Sequence, residues 1–368
     1  MRWWGRRAVR EEVRPVLARA GTAWAGGDWP AGYEAQLREA YLSNPVAQRA
    51  VRLVAEGVGS VPLMAADPKV AALVGARSAG QLLLETAAAQ VLLHGNAYLQ
   101  LLDDGRGGLA ELFALRPERV SVEADASGWP VAFRYRVGER VSRVPASDAA
   151  GRCQLVHVKG FHPACDHAGL GCLNAAAGAV AIHNAATRWN KALLDNAARP
   201  SGALVYEPGD GATLSPDQFA RLRAEMDGAF SGAANAGRPM LLEGGLRWQA
   251  MSMTPADMDF VGLKATAARE IALAFGVPPM LLGLPGDTAY ANYREANRAL
   301  WRQAILPLAD KILGALAQGL GDWFADGAVS VAIDRVPALA EDRERLWRQV
   351  SGATFLSDAE KRGVLGLG

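Results

Sequence analysis

The residues best suited to do chemistry in this chain are cysteines and histidines that fall close together. All three cysteines and three of the five histidines lie between residues 153 and 172. They are Cys153, His157, His162, Cys165, His167 and Cys172. Thiolate and imidazole are ligands that zinc prefers, so a zinc-dependent hydrolase is one hypothesis. No C-x-x-C or H-x-x-x-H pair occurs among them, and a strand, a polar turn and small buried thiols are the competing interpretation.

Other catalytic patterns are weak. Asp257 and Asp259 are two positions apart on a predicted helix, so their side chains face different directions. Asp287 lies in a Gly/Pro loop with no histidine or lysine near it in sequence. The sequence contains no P-loop, dinucleotide-binding or nucleophile-elbow motif. These absences weaken the case for the common nucleotide-using classes of enzyme.

Composition sets broad limits on the class of protein. The 368 residues include 39 basic and 38 acidic side chains, with 50% hydrophobic and 21% charged residues, which is typical of a globular protein. A net charge of +1 argues against a surface built to grip nucleic acid over its whole extent. Three cysteines do not make a disulfide framework, so a reducing compartment is expected. The sequence shows no membrane span and no secretory signal at its start.

The first half of the chain predicts helices around a β region. Asn44 caps a predicted helix over 45–58, and further helices are predicted over 78–93 and from Leu173 onward. Alternating polar and apolar residues over 131–137 are typical of a half-buried strand. The other predicted strands are 98–102, 112–115, 120–123, 155–158, 203–206 and 329–333.

The second half predicts two capped helices around a hairpin. Ser215, Pro216 and Gln218 start a helix that runs to about 230, with Leu214 and Phe219 as a hydrophobic staple. A second helix start over 253–258 leads to a helix that ends at Gly276. Between them, strands 239–242 and 246–251 flank Glu243-Gly244-Gly245.

A loop and a long helix follow. The loop over 285–292 is rich in small residues, and an ordinary helix connection is its simplest interpretation. The helix over 290–320 contains Pro307, which predicts a kink near 303–306. A helix over 339–350 and a capping box of Ser357 with Glu360 finish the chain. Basic residues also mark the second half, and their simplest interpretation is a solvated face with ion pairs between subunits; they are Arg238, Arg247, Lys264 and Arg269.

Several stretches, in order, resemble the portal proteins of tailed double-stranded-DNA phages, in the branch of long-tailed phages, prophages and gene transfer agents. The resemblance covers about residues 40–325. Its longest stretches are 237–246, GRPMLLEGGL, and 268–283, AREIALAFGVPPMLLG. Shorter ones are Asn44-Pro45, 93–98, 115–117, 196–202 and 288–292, and the segment 161–200 is similar to the gene-transfer-agent type.

This resemblance implies an α+β portal fold with an α/β wing, a two-helix stem flanking a small β clip, a tunnel loop, a kinked long helix and a short helical crown. The implied divisions are an N-terminal arm 1–40, wing 41–213, stem helix 214–232, clip 233–253, stem helix 254–277, tunnel loop region 278–293, kinked wing helix and strand 294–338, and crown 339–368. The implied tunnel-loop residues are Pro285, Gly286, Asp287, Thr288, Ala289, Tyr290 and Asn292. The implied clip and stem contacts are Arg238, Glu243, Arg247, Trp248, Lys264 and Arg269.

The function that the resemblance implies is a ring, usually a dodecamer, at one capsid vertex of a virion or gene-transfer-agent particle assembled in the bacterial cytoplasm. Double-stranded DNA would pass through it during packaging and ejection. A terminase motor, the major capsid protein and a head–tail adaptor would be its other partners. The zinc-dependent hydrolase and another head–tail connector component stay open as alternatives at this point.

Overall fold

The structure is a computed structural model that describes residues 17, 32–195, 202–206, 215–230, 246–250, 259–284 and 290–365. Its α-helices are α1 Tyr33–Leu37, α2 Pro45–Gly59, α3 Pro68–Val74, α4 Leu83–His94, α5 Leu173–Asp195, α6 Pro216–Phe230, α7 Phe260–Ala274, α8 Tyr290–Leu300, α9 Leu306–Leu320, α10 Ala340–Gly352 and α11 Asp358–Val364. Its strands are β1 Leu63–Ala65, β2 Arg77–Ser78, β3 Gln81–Leu82, β4 Asn96–Asp103, β5 Leu109–Leu115, β6 Val120–Ala124, β7 Pro130–Val137, β8 Arg140–Pro145, β9 Leu155–Lys159, β10 Gly202–Tyr206, β11 Leu246–Ala250 and β12 Val329–Val331. The predicted mixture of helices and strands is confirmed.

Helix α2 begins as predicted. The Asn44 side chain accepts hydrogen bonds from the backbone N–H groups of Val46 and Ala47, both at 3.0 Å, which satisfies two donors at the helix start. The helix buries one face that includes Val54 and Val58, and it packs against α4 and α9. Local capping and an apolar stripe therefore place α2 in the core.

The prediction for α4 was wrong at its start. Residues 77–82 form the short hairpin β2–β3, and the helix begins only at Leu83. Ala79 and Gly80 have φ angles of 50° and 82°, which lie outside the helical region. Strands β1 and β8 were missed: β8 follows β7 through a tight turn in which Gly138 has φ 60°.

Two three-stranded antiparallel sheets form the β region. Their strand orders are β5–β4–β9 and β6–β7–β8. One buried cluster joins them, and it comprises Tyr98, Leu115, Phe133, Val144 and Leu155. The Tyr98 and Phe133 rings meet edge to face at 5.8 Å, an arrangement that adds to the burial of both. The strand pairing thus unites segments from residue 96 to residue 159 in one core.

The long helix is interrupted where proline was expected to disturb it. Helix α8 ends at Leu300, a π-helical turn covers Trp301–Ile305, and α9 begins at Leu306, directly before Pro307. Proline has no backbone N–H and its ring clashes with the preceding turn, which accounts for the irregular turn before it. Ile305 is buried against α2, where a Cβ on Gly57 would lie 2.4 Å from the Ile305 side chain.

The chain divides into two compact units. One unit comprises residues 1–177 and 270–368, and the other comprises residues 178–269. In the second unit, Trp189 of α5 stacks on Phe260 of α7 with ring centroids 6.0 Å apart. Across the described residues, no helix is both long and apolar enough to cross a membrane.

Candidate assembly and channel surfaces

The histidines of the 153–172 segment are each engaged within the protein. His157 Nε2 lies 2.9 Å from the side-chain oxygen of Asn96, and the ring stacks on Tyr98 at 4.3 Å. His162 Nδ1 accepts from the backbone N–H of Ala164 at 3.1 Å. His167 Nε2 lies 2.5 Å from the carbonyl oxygen of Gly128. Burial, with smaller effects from neighbouring charges, lowers the pKa of His157 from 6.5 to about 3 and keeps the ring neutral.

The cysteines also have separate surroundings. The Cys153 thiol lies 3.4 Å from the carbonyl oxygen of Leu155. Cys172 comes directly before α5, and its backbone N–H bonds the carbonyl of Leu92 at 2.8 Å. Burial raises the pKa of both thiols, which disfavours the thiolate that zinc requires. Within the described ranges, which include all six side chains, no three His, Cys, Asp or Glu residues could hold a metal ion together. The zinc-hydrolase hypothesis therefore has no site in this segment.

A buried asparagine fixes this segment instead. Asn96 is 1% exposed, and its side-chain oxygen also accepts from the backbone N–H of Gly169 at 2.7 Å. Its amide lies 3.1 Å from His94 Nδ1. The backbone crossing is close, since a Cβ on Gly95 would lie 2.5 Å from the carbonyl oxygen of Gly169. The segment 93–98 therefore holds the 160–172 loop through contacts that only glycine and asparagine can make at these positions.

Helix α6 is capped but has little packing. Ser215 N–H donates to the Gln218 side-chain oxygen at 2.9 Å, and Gln218 N–H donates back to Ser215 Oγ at 3.3 Å, so the predicted capping box is confirmed. From Pro216 to residue 224 no side chain is buried. Phe219 is 58% exposed, and its proposed staple partner, Leu214, lies outside the described residues. Over residues 216–224 the helix therefore leaves its described side chains, Phe219 among them, open to contact.

Helix α7 has one covered and one uncovered side. Ala267, Ala268, Ile271 and Ala272 are buried, whereas two other apolar side chains project outward: Val261 is 84% exposed and Leu273 is 79% exposed. The helical spacing of apolar residues in the sequence predicts one buried stripe, made of Phe260, Leu263, Ala267, Ile271 and Ala274. Ala267 and Ile271 are buried, whereas Leu263 is 44% exposed. Val261 and Leu273 were missed, and their apolar character away from the main stripe was the available signal.

The start of α7 differs from the prediction. The expected cap over 253–258, together with Asp257, lies outside the described residues, and the described helix begins at Phe260. Asp259 has φ 39°, and its carboxylate accepts from the backbone N–H of Gly262 at 3.1 Å. A Cβ on Gly262 would lie 2.2 Å from that carboxylate, so glycine is required for this cap.

Strand β11 pairs with a strand that the sequence did not indicate as its partner. Residues Leu246–Ala250 pair antiparallel with Gly202–Tyr206 along their whole length, with Arg247 opposite Val205 and Trp248 opposite Leu204. The predicted hairpin arm 239–242 lies outside the described residues, so the hairpin stays a prediction. The pairing with β10 was missed because strands that are distant in sequence leave no local signal of their pairing.

The predicted clip and stem residues are only partly brought together. Arg238 and Glu243 lie outside the described residues, and Arg247 is exposed on β11. Lys264 lies on α7, where its charge adds to the effect of burial in lowering the pKa of His183. Arg269, on the same helix, donates to the carbonyl oxygen of Ala265 at 3.4 Å.

Most of the predicted tunnel loop cannot be placed. Residues 285–289, from Pro285 through Gly286, Asp287, Thr288 and Ala289, lie outside the described residues. Tyr290 is the first residue of α8, and Asn292 is exposed on that helix. The structure therefore describes the helix that follows the loop, together with the segment Pro279–Leu282 before it.

Comparison with known proteins gives consistent matches. The family model for phage portal proteins matches residues 45–366. An uncharacterised protein of Rickettsia felis is 40% identical over 349 residues, which cover 89% of this chain and 88% of that protein. A chain in the neck of a native gene transfer agent particle, computed with C12 symmetry, is 47% identical, with TM-score 0.71, covering 93% of this chain and 95% of that one. An HK97 family phage portal protein from Corynebacterium diphtheriae, with 18% identity and TM-score 0.55, covers 81% of this chain and 98% of that one, and it shows a shared fold.

Proposed function

The chain belongs to the phage portal protein family, and on this premise we propose that it forms a ring around a DNA channel at one vertex of a phage-type particle. The observation that carries the proposal is the similarity, over 93% of this chain, to a chain in a twelve-fold symmetric particle neck. The resemblance in the sequence and the fold both support it. A dodecamer is the proposed subunit number.

Exposed apolar side chains support lateral packing in such a ring. In the single protomer, Phe219, Val261 and Leu273 are all more than half exposed. A neighbouring copy on each side would cover them, because every protomer in a ring has two identical neighbours. Helices α6 and α7 are the proposed stem, and the region around β11 is the proposed clip, with Arg247, Trp248, Lys264 and Arg269 as contacts.

The loop over 285–292 is the proposed tunnel loop, and it would touch the DNA backbone without reading bases. A channel through which DNA slides should bind it weakly, since affinity rises with the number of phosphates neutralised. The net charge of +1 is compatible with this role. We propose that the chain catalyses nothing itself and that a terminase motor supplies the energy for translocation.

The remaining partners follow from the same proposal. The clip would dock the terminase during packaging and a head–tail adaptor afterwards. The wing would contact the major capsid protein at the vertex. The neck position of the similar chain supports a place in a virion or gene-transfer-agent particle. Another head–tail connector component is disfavoured because the family match spans most of the chain.

Deleting residues 285–292 tests the channel loop in cells that produce particles. We expect rings of normal size in the particles and a strong decrease in protected DNA, measured by nuclease-resistant DNA per particle. The matched control deletes 105–107 from the exposed turn between β4 and β5, which leaves Asp104-Gly108 as a two-residue hairpin turn. Collapse of the rings in the 285–292 deletion, or normal packaging by it, would refute the assignment of this loop to the channel.

A further inference from the structure

Three arginines spaced four residues apart on the long helix meet two acids at the start of α10. Arg294 pairs with Glu341 at 2.7 Å, and Arg302 pairs with Asp342 at 2.5 Å. Arg298 lies between them and contacts both, at 2.9 Å from Glu341 and 3.3 Å from Asp342. Positions i, i+4 and i+8 share one helix face, so the arginines form a row. We name these five residues the arginine clasp.

Arg298 is the central residue of the clasp. Its side chain is 11% exposed, whereas those of Arg294 and Arg302 are 55% and 54% exposed. It also pairs with Glu295 at 2.8 Å on its own helix. Exposed ion pairs contribute little, but a largely buried guanidinium with several carboxylate partners leaves uncompensated charge when it is removed. The clasp should therefore depend mainly on Arg298.

The C-terminal helices have little apolar attachment. In α10 only Val350 is buried, and in α11 no residue is buried. Trp347, Phe355 and Val364 are 43%, 85% and 53% exposed. Helix α9, by contrast, buries six residues. We call the described residues of the first compact unit up to residue 339 the body. Hydrophobic burial therefore holds α9 in the body, whereas α10 is attached largely through charge.

Arg343 of α10 makes one bond inside the C-terminal segment and one outside it. It donates to the carbonyl oxygen of Leu365 at 2.9 Å, and this bond would move with the segment. It also pairs with Asp334, which lies between β12 and α10. This ion pair is a further charged attachment of α10, made to the chain before it and not to α8 or to the π-helical turn.

We propose that residues 340–365 form a strap, closed on the long helix by the arginine clasp, that opens as one unit when the clasp charges are screened or removed. The body, including α9, stays folded when the strap opens. The strap is thus a built-in conformational element whose position depends on ionic strength. Among the described segments of the chain, the strap should be one of those that open most easily.

Hydrogen exchange of the full-length protein, followed by mass spectrometry, tests the strap. We compare about 0.05 M with about 1 M KCl, over which the Debye length falls to about 3 Å. In low salt, Arg298→Ala should speed amide exchange in 340–352 by about 5- to 30-fold, while exchange in 306–320 is unchanged. High salt should also speed exchange in the unsubstituted strap, by less than Arg298→Ala does, because salt screens the exposed Arg294 and Arg302 pairs more than the largely buried Arg298.

The matched control is Arg348→Ala, which removes an exposed pair with Glu344 at 3.1 Å within α10 itself. It should leave exchange in the strap within about twofold of the unsubstituted protein. The double variant Glu341→Gln/Asp342→Asn removes the acidic partners of the clasp. It should also speed exchange in 340–352, and it replaces Arg298→Ala in the test if that variant fails to fold. Exchange in 340–352 that is insensitive to salt and to the double variant, or equal acceleration in 306–320, would overturn the proposal.

Discussion

Helices α2 and α6 both have a capped N-terminus, but they differ in how far their side chains are buried. Asn44 caps α2, and the Ser215–Gln218 capping box starts α6. Helix α2 then buries six residues, whereas the described side chains of α6 are all at least partly exposed. Local sequence therefore specifies both helices, but among the described side chains only those of α2 are packed within the chain. On the proposed function, α2 belongs to a part of the protomer that folds by itself, whereas α6 gains its packing from neighbouring copies.

The largest effect is expected in the body. Leu316 is fully buried in α9, so Leu316→Ala should lower the free energy of unfolding by about 2–5 kcal/mol, through lost burial and a cavity. Chemical denaturation of the protomer measures it. Leu273→Ala is the matched control, because that leucine is 79% exposed and the change should cost less than about 0.5 kcal/mol. Equal losses of unfolding free energy in Leu316→Ala and Leu273→Ala would contradict the distinction between the packed core and the exposed helix faces.

The next effect concerns assembly. Phe219→Ala should leave the unfolding free energy of the protomer within about 0.5 kcal/mol. It should raise the subunit concentration needed for rings by about tenfold or more, because a buried aromatic contact is lost at every interface. Mass photometry over a dilution series measures the ring fraction. Unaltered assembly in both Phe219→Ala and Val261→Ala would show that these side chains are not covered by neighbouring copies.

Acid should destabilise the body through His157. The pKa of His157 is about 3 in the folded protein, against 6.5 for the same group in the unfolded chain. Between these pH values the unfolded chain therefore binds more protons than the folded protein. This group alone should therefore remove about 1.4 kcal/mol per pH unit from pH 6.5 downward, with full stability retained above that range. Denaturation at several pH values measures the slope.

His157→Gln should flatten this acid limb while keeping a side-chain donor for Asn96. His162→Gln is the control, because the His157 ring packs against Tyr98 and Phe133, whereas the His162 ring bonds the backbone N–H of Ala164. The prediction is wrong if the two variants show the same slope as the unsubstituted protein.

The smallest expected effect is the loss of an N-cap, which can be compared between α2 and α6. Asn44→Ala and Ser215→Ala each remove a cap and should each cost about 1 kcal/mol locally. The loss at Asn44 should appear in global unfolding of the protomer. The loss at Ser215 should appear only as faster hydrogen exchange in 216–230 and weaker ring formation. An equal loss of global stability in both variants would contradict the proposed difference between the packed helix α2 and the exposed helix α6.

The sequence predicted the features that depend on neighbouring residues. The caps at Asn44, Ser215 and Ser357 are confirmed, and a π-helical turn over Trp301–Ile305 lies where Pro307 predicted a kink. Each depends on side-chain or backbone chemistry within a few positions. The resemblance to portal proteins also depended on local stretches, and the family match confirms it.

The failures concern distant partners. The pairing of β11 with β10 joins residues forty positions apart, and nothing near Leu246 indicates it. The cysteines and histidines of 153–172 are close in sequence, yet within the described residues they form no metal-binding group, and His157 contacts Asn96 instead. The uncovered faces at Phe219 and Val261 could be recognised only after the rest of the chain had been packed.

The most direct test of the central claim is cryo-electron microscopy of the purified full-length protein. The account predicts closed rings, twelve-fold symmetric, with a central channel wide enough for double-stranded DNA and with Phe219, Val261 and Leu273 covered by neighbouring subunits. Compact monomers that persist at high protein concentration, or closed assemblies without a central channel, would contradict it.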